Sequence, residues 1–236
     1  MLNSEILNKS IFISRKLNEN SVFKHYSESR SKFIIDEPLI KITQIPFSYT
    51  PQTQWIFFSS KNAIKHFFAQ SPSIAANTKY GVISDSSAAY LKTYEKQADF
   101  IGEGVDLGLI AKNFRDVLGK DSVLFPQAMD SLQSIQKYLA FSNTTYNLYT
   151  YKTIIRQDVD IPYTDVLVFT SPSNVMAYLN KYSIDSRQLV IAMGQSTKFK
   201  LSENGIKVVL TPSSFNEEGL LNVIMDQFLK SEETAL

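Results

Sequence analysis

The sequence contains no cysteine. Disulfides, thiolate nucleophiles and zinc–thiolate centres are therefore excluded, and a reducing compartment fits the chain. Histidine is nearly absent too: only His25 and His66 occur, and neither has a ligand-like spacing. A histidine-based triad or a His-rich metal centre is not expected. His66 lies in the helical stretch Ala63-Ile64-Lys65-His66-Phe67-Phe68 and reads as a surface or core-edge side chain. Excess charge of either sign is missing, with 24 Lys and Arg against 23 Asp and Glu and a net of +1. Such a balance argues against nonspecific binding of nucleic acid or of an anionic membrane. No apolar run approaches the length of a membrane span, and Met1 to Ser10, with Glu5 and Lys9, has no leader-like apolar stretch. The expectation is a cytoplasmic protein. Phosphate signatures are lacking as well: Gly102-Glu103-Gly104 followed by Gly108 is not a dinucleotide fingerprint, and no Walker-type GxxxxGK run occurs.

What the chain does have is apolar content and internal order. With 236 residues, 44% of them hydrophobic, it can bury the cores of one large or two small domains. Four segments recur in the same order at a spacing of about 111 positions. Ile11-Phe12-Ile13-Ser14-Arg15 matches Val123-Leu124-Phe125-Pro126-Gln127, and Phe58-Ser59-Ser60-Lys61 matches Phe169-Thr170-Ser171-Pro172. Val82-Ile83-Ser84-Asp85-Ser86-Ser87 matches Ala192-Met193-Gly194-Gln195-Ser196-Thr197, and Asp106-Leu107-Gly108-Leu109-Ile110 matches Glu217-Glu218-Gly219-Leu220-Leu221.

Short apolar runs at Trp55 to Phe58, Val123 to Phe125, Val166 to Phe169 and Val190 to Met193 predict buried strands. Each precedes a turn rich in Ser, Thr, Pro or Gly and then a helical pattern, as at Asn174 to Tyr182 and Ser196 to Glu203. The alternation predicts an α/β fold of parallel sheets with helices on both faces. Phe33 to Phe47 and Thr145 to Gln157 break the alternation, correspond in the repeat, and read as paired linker strands between domains.

In parallel sheets ligands bind at the carboxyl ends of strands, where helix N-termini point free N–H groups outward. Hydroxyl-bearing turns stand at several such ends: Ser59-Ser60, Ser86-Ser87, Thr170-Ser171 with Ser173, and Ser196-Thr197. Two readings stay open: each serine or threonine caps its own helix, or the hydroxyls and amides grip anions together. Arg15 at a strand end and Lys61 at a helix start are the candidate cations, Lys61 the more suggestive because the helix dipole disfavours a lysine there.

The succession Trp55-Ile56-Phe57-Phe58-Ser59-Ser60-Lys61-Asn62-Ala63, Val123-Leu124-Phe125-Pro126, Tyr151-Lys152-Thr153, Phe169-Thr170-Ser171-Pro172-Ser173 and Gly194-Gln195-Ser196-Thr197 resembles the uroporphyrinogen-III synthase family. The resemblance runs from about Ile11 to the final helix. It implies two similar α/β domains joined by a two-stranded linker, with the active site in the cleft between them. The repeat alone would cut the chain near residue 118; the resemblance implies one domain of residues 1–37 with 156–236 and an inserted one of 38–155, with linker strands at about 38–47 and 146–155. The implied reaction closes hydroxymethylbilane to uroporphyrinogen III, inverting ring D and losing water, with no cofactor and no metal. Tyr151 is implied as the acid assisting hydroxide loss. Ser59 or Ser60, Ser87, Ser171, Ser196, Thr197 and Arg15 are implied as substrate contacts; Lys61 and Ser173 join the expected contacts from their places at helix starts. Three positions depart from the family pattern: Ser84 stands for a glycine, Ser87 for a threonine, and Ser131-Leu132 follow the Phe-Pro strand without the usual basic residue. The implied partner is the small-molecule substrate, with the upstream synthase that supplies it, and a monomer is expected. Two rivals are a non-catalytic protein binding a small organic polyanion and a divergent homologue without turnover.

Overall fold

The computed structural model describes residues 9–28, 34–104, 106–139, 142–214 and 216–233. In chain order, β1 (Ile11–Ile13), α1 (Val22–Glu28), β2 (Ile34–Asp36) and β3 (Ile40–Gln44) come first. Next are β4 (Trp55–Phe58), α2 (Lys61–Phe68), β5 (Lys79–Val82), α3 (Asp85–Lys92), β6 (Phe100–Ile101) and α4 (Leu107–Leu118). Then follow β7 (Val123–Ala128), α5 (Gln136–Leu139), β8 (Thr145–Ile155), β9 (Val166–Phe169) and α6 (Pro172–Leu179). β10 (Leu189–Ala192), α7 (Gln195–Glu203) and α8 (Glu217–Glu233) complete the series. The chain divides into two compact units, Met1–Lys41 with Ile155–Leu236 and Ile42–Ile154.

In the unit that holds both chain ends, the strand order is β10-β9-β1-β2 and every pairing is parallel. The strands are short apolar runs because both faces are covered. Alternation along β1 sends Phe12 into one core with Leu167, Phe169, Val175 and Tyr178, while Ile11 and Ile13 enter the other with Val166, Val168, Leu220 and Ile224. Just past the end of α7 stands Gly205, whose φ of +83° suits glycine, and Ile206 N–H closes back on the Leu201 carbonyl.

The unit of Ile42–Ile154 repeats the plan. β5, β4, β7 and β8 lie in the order of β10, β9, β1 and β2, all parallel, with β6 added beyond β5 and β3 beside β8. Its cores are heavily aromatic: Ile56, Phe58 and Phe67 fill one face, Trp55, Phe57, Phe114 and Phe125 the other. Gly81 serves this packing directly, since a Cβ there would lie 2.6 Å from the Phe57 ring. An aromatic core of this kind is sensitive to truncation: Phe→Ala in such a site costs about 3–5 kcal/mol.

The stretches expected as paired linker strands turn out otherwise in part. Of the first stretch, only β3 lies beside β8. Residues 34–36 form β2 at the edge of the other sheet, separated from β3 by a break at Pro38, which lacks an N–H to donate. β8 is no mere connector either, because Thr145 to Tyr151 pair in parallel with β7. β7 itself runs to Ala128, past Phe125 and through Pro126. Among the described residues no helix is long and apolar enough to cross a membrane.

Candidate active site

Four turns at carboxyl ends of strands carry the hydroxyl pairs, two in each unit. In the first turn of each pair, serine caps the following helix. Ser60 Oγ accepts from Ala63 N–H at 3.0 Å at the start of α2, and Ser171 Oγ accepts from Asn174 N–H at 3.3 Å at the start of α6. In the second turn of each pair, Ser84 and Gly194 stand at the cap positions of α3 and α7 without a side-chain cap. The amides of Asp85 and Ser86, and of Gln195 and Ser196, have no acceptor among the described residues. These uncapped starts are the more open anion seats.

The hydroxyls are not equally available. Ser59, Ser196 and Lys61 are exposed, and Ser60, Ser171 and Ser173 are half-buried. Ser87 and Thr197 turn inward and are each 2% exposed, with Ser87 Oγ accepting from Ser84 Oγ. Arg15 follows β1 at its carboxyl end, but its guanidinium is held by Glu217 at 2.7 Å in the first turn of α8, where Ser21 also donates to the carboxylate. Lys61 makes no ion pair among the described residues, so it is the freer cation.

The densest constellation lies within the unit of Ile42–Ile154. Tyr151 is 8% exposed, and its hydroxyl lies 3.1 Å from Ser60 Oγ. A β-bulge puts it there. Gln127 pairs with Tyr149 but Ala128 pairs with Tyr151, so β8 carries one extra residue at Thr150. With unbroken alternation Tyr151 would share the face of Asn147 and Tyr149; the bulge shifts the phase, and Tyr151 joins Leu148 on the face under α2. Burial pushes the Tyr151 phenol above its ordinary value, the Ser60 hydroxyl pulls it down, and the Asp130 carboxylate adds to the rise. The phenol therefore keeps its proton at neutral pH.

Beside these groups, Ser59, Ile83, Leu107 and the segment Ser131 to Gln136 line a hollow of about 170 Å³. Gln136, one of the lining residues, donates at 2.7 Å to the buried Gln127.

Several of these features are invisible to sequence reasoning. The bulge at Thr150 is marked by no glycine. Asp130 and Gln127 carry no motif, and Glu217 meets Arg15 across 202 positions. His66 stands at the core edge, 8% exposed, and stacks on Tyr151 with ring centroids 5.3 Å apart. No group of three or more potential metal-ligating side chains gathers among the described residues.

Comparison with known proteins bears on the fold and the family. A uroporphyrinogen-III synthetase from Helicobacter pylori superposes with a TM-score of 0.70 at 16% identity, covering 93% of this chain and 99% of that one. A selenomethionine-bearing mutant of uroporphyrinogen III synthase from the extremely thermophilic bacterium Thermus thermophilus gives 0.62 at 14% identity, covering 96% and 99%. At such identities the likeness speaks for the fold. No curated protein matches the chain by sequence. The family model "Uroporphyrinogen-III synthase HemD", however, matches residues 24–227, most of the chain. A two-unit α/β chain with this match belongs to the uroporphyrinogen-III synthase family.

Proposed function

We propose that the chain closes hydroxymethylbilane to uroporphyrinogen III with Tyr151 as the acid that assists departure of the hydroxyl. The observation that carries this role is the buried phenol hydrogen-bonded to a helix-capping serine. Ser60 Oγ already accepts from Ala63 N–H, so its own hydrogen is available to Tyr151 Oη. The phenol hydrogen is then left to point at the leaving hydroxyl. Transfer of that proton releases water and leaves a phenolate, which the Ser60 O–H and the first-turn amides of α2 stabilise. The azafulvene so formed closes through a spiro intermediate that inverts ring D, and the proton shed as the macrocycle regains its aromatic rings restores the phenol.

Substrate carboxylates are held, on this reading, chiefly by helix starts. A net charge of +1 supplies no field strong enough to gather an eight-carboxylate molecule. The open amides at Asp85-Ser86 and Gln195-Ser196, the exposed Ser59 and Ser196 hydroxyls, and Lys61 supply local donors. Ser171 and Ser173 offer the equivalent edge of α6. Ser87 and Thr197, being buried, contribute by fixing their turns, and Arg15, neutralised by Glu217, contributes less than Lys61. A cytoplasmic monomer receiving its substrate from the upstream synthase completes the proposal.

Membership of the family speaks for turnover and against a non-catalytic anion binder. The test is a coupled assay that supplies hydroxymethylbilane and resolves the type I and type III products. Spontaneous closure gives type I, so enzyme-dependent type III is the expected result, and its absence from folded protein would overturn the reading. Tyr151→Phe should slow type III formation about 10²-fold with the fold intact.

A further inference from the structure

The contact between His66 and Tyr151 is not explained by core packing alone. Burial pushes the His66 imidazole below its ordinary value, with the Lys65 charge adding to this. Its Nδ1 is buried and has no hydrogen-bond partner among the described residues. A polar atom in that condition is unfavourable, and an apolar side chain would fill the place without it. The imidazole's chief ring contact is Tyr151, on which it stacks at 28°.

The internal repeat supplies a control. α2 and α6 begin at Lys61 and Pro172 and end at Phe68 and Leu179, so each position of one has its counterpart 111 residues on. The capping serines obey this offset, Ser60 against Ser171. His66 then corresponds to Ala177, also buried, in a unit where Asn174 and not a tyrosine meets the capping serine. A ring stands on the helix where a tyrosine must be held, and a methyl where none is present.

The backbone fixes the two rings from both sides. Gln70 Nε2 donates to the His66 carbonyl at 3.0 Å and to the Ile45 carbonyl at 3.1 Å, while Gln70 Oε1 accepts from Phe47 N–H. Ile45 N–H in turn donates at 2.9 Å to the carbonyl of Thr150, the bulge residue next to Tyr151. α2 is thereby tied to the strand pair that carries the phenol. The hydroxyl end of Tyr151 is held by Ser60 at the cap of α2 and the face of its ring by His66 in the last turn of the same helix.

We propose that His66 is a positioning residue for Tyr151, its stacked imidazole preventing the phenol ring from swinging so that the hydroxyl stays on Ser60 and aimed at the leaving group. The inference rests on the reading of Tyr151 as the acid. It concerns orientation, so it acts on turnover and not on substrate affinity.

The experiment measures kcat and KM for type III formation by the full chain carrying His66→Ala, His66→Leu and His66→Phe, each alone and combined with Tyr151→Phe. Misplacing a catalytic group by a fraction of an ångström lowers turnover by about tenfold or more. His66→Ala and His66→Leu should therefore lower kcat about tenfold with KM within about twofold, and His66→Phe, which restores a ring, should recover to within about threefold of the parent. In the Tyr151→Phe background none should lower kcat further, because no hydroxyl remains to aim. His66→Leu keeps the volume filled and serves if His66→Ala does not fold. An equal fall in both backgrounds, a fall in affinity instead of turnover, or a phenylalanine variant as slow as the leucine one would overturn the positioning role. Full activity of Tyr151→Phe would strike the acid reading itself. A slow Tyr151→Phe beside fully active His66 variants would strike the positioning role alone.

Discussion

The two units are built on one plan and use the same capping serine for different ends. In the unit of Ile42–Ile154, Ser60 caps α2 and meets the hydroxyl of Tyr151 at 3.1 Å. In the other, Ser171 caps α6 and meets the side chain of Asn174 at 3.0 Å, whose oxygen accepts from Leu39 N–H at 2.9 Å. One cap is joined to a group with an ionisable proton, the other to an amide that pins the chain just before β3. The repeat supplies two equivalent helix starts; on the proposed reading one of them serves the acid, while the cap of the other also pins the chain before β3. The neighbouring residue diverges in the same sense. Lys61 brings a cation and an amide to the start of α2, whereas Pro172 brings neither to α6.

The sharpest way to break this comparison is to truncate both partners. Tyr151→Phe should reduce kcat for type III product about 10²-fold while the melting temperature holds. Its counterpart change, Asn174→Ala, should leave kcat per folded molecule unchanged but cost about 1–3 kcal/mol in a urea titration, because the Leu39 N–H loses its acceptor. Loss of activity in a stable Asn174→Ala protein would show that both caps serve the chemistry. A smaller effect comes from giving one unit the other's turn. Lys61→Pro copies Pro172 at a first helical position that tolerates proline, so the fold should survive. Affinity for product in a binding titration should fall about threefold further than with Lys61→Ala, since an amide donor is lost as well as the charge. Equal affinities would mean that the amide takes no part.

The smallest expected effect is on pH dependence. The unfolded chain protonates His66 more readily than the folded one, so this contribution to stability is fully present above the ordinary histidine value of about 6.5 and declines as pH falls below it. His66→Phe removes the group and should flatten the acid side of the stability curve between about pH 7.5 and about pH 5. An unchanged slope in urea midpoints would show that other groups set it.

Much of the fold was legible because it rests on local apolar runs and on duplication. Trp55 to Phe58 and Val166 to Phe169 are strands over the full predicted length, since residues buried on both faces leave an unbroken hydrophobic signature. The serine turns were legible for the same reason, each following such a run. Proline was ambiguous: Pro38 breaks β2 from β3, yet Pro126 sits within β7. What stayed hidden depends on registers and distant partners. The one-residue bulge that turns Tyr151 toward α2 changes no composition, and the meeting of His66 with that ring joins positions whose separation carries no period. The burial of Ser87 and Thr197 was equally unreadable, because a first-turn hydroxyl faces inward or outward according to how its helix rolls on the sheet.

The pairing of β1 between β2 and β9 also bears on how the polypeptide emerges during synthesis. β2 follows within a few tens of residues, but β9 and α8, which complete the two cores around Ile11, Phe12 and Ile13, are made only after the whole of Ile42–Ile154. The inserted unit is continuous and can fold as soon as it clears the ribosome, while β1 waits with one edge and both apolar faces uncovered. Ribosome-bound chains extended far enough past Ile154 for this unit to clear the exit tunnel should then show a protease-resistant core of Ile42–Ile154 carrying a digestible N-terminal arm. Until β9 emerges, that arm is an exposed apolar segment of the kind a chaperone covers.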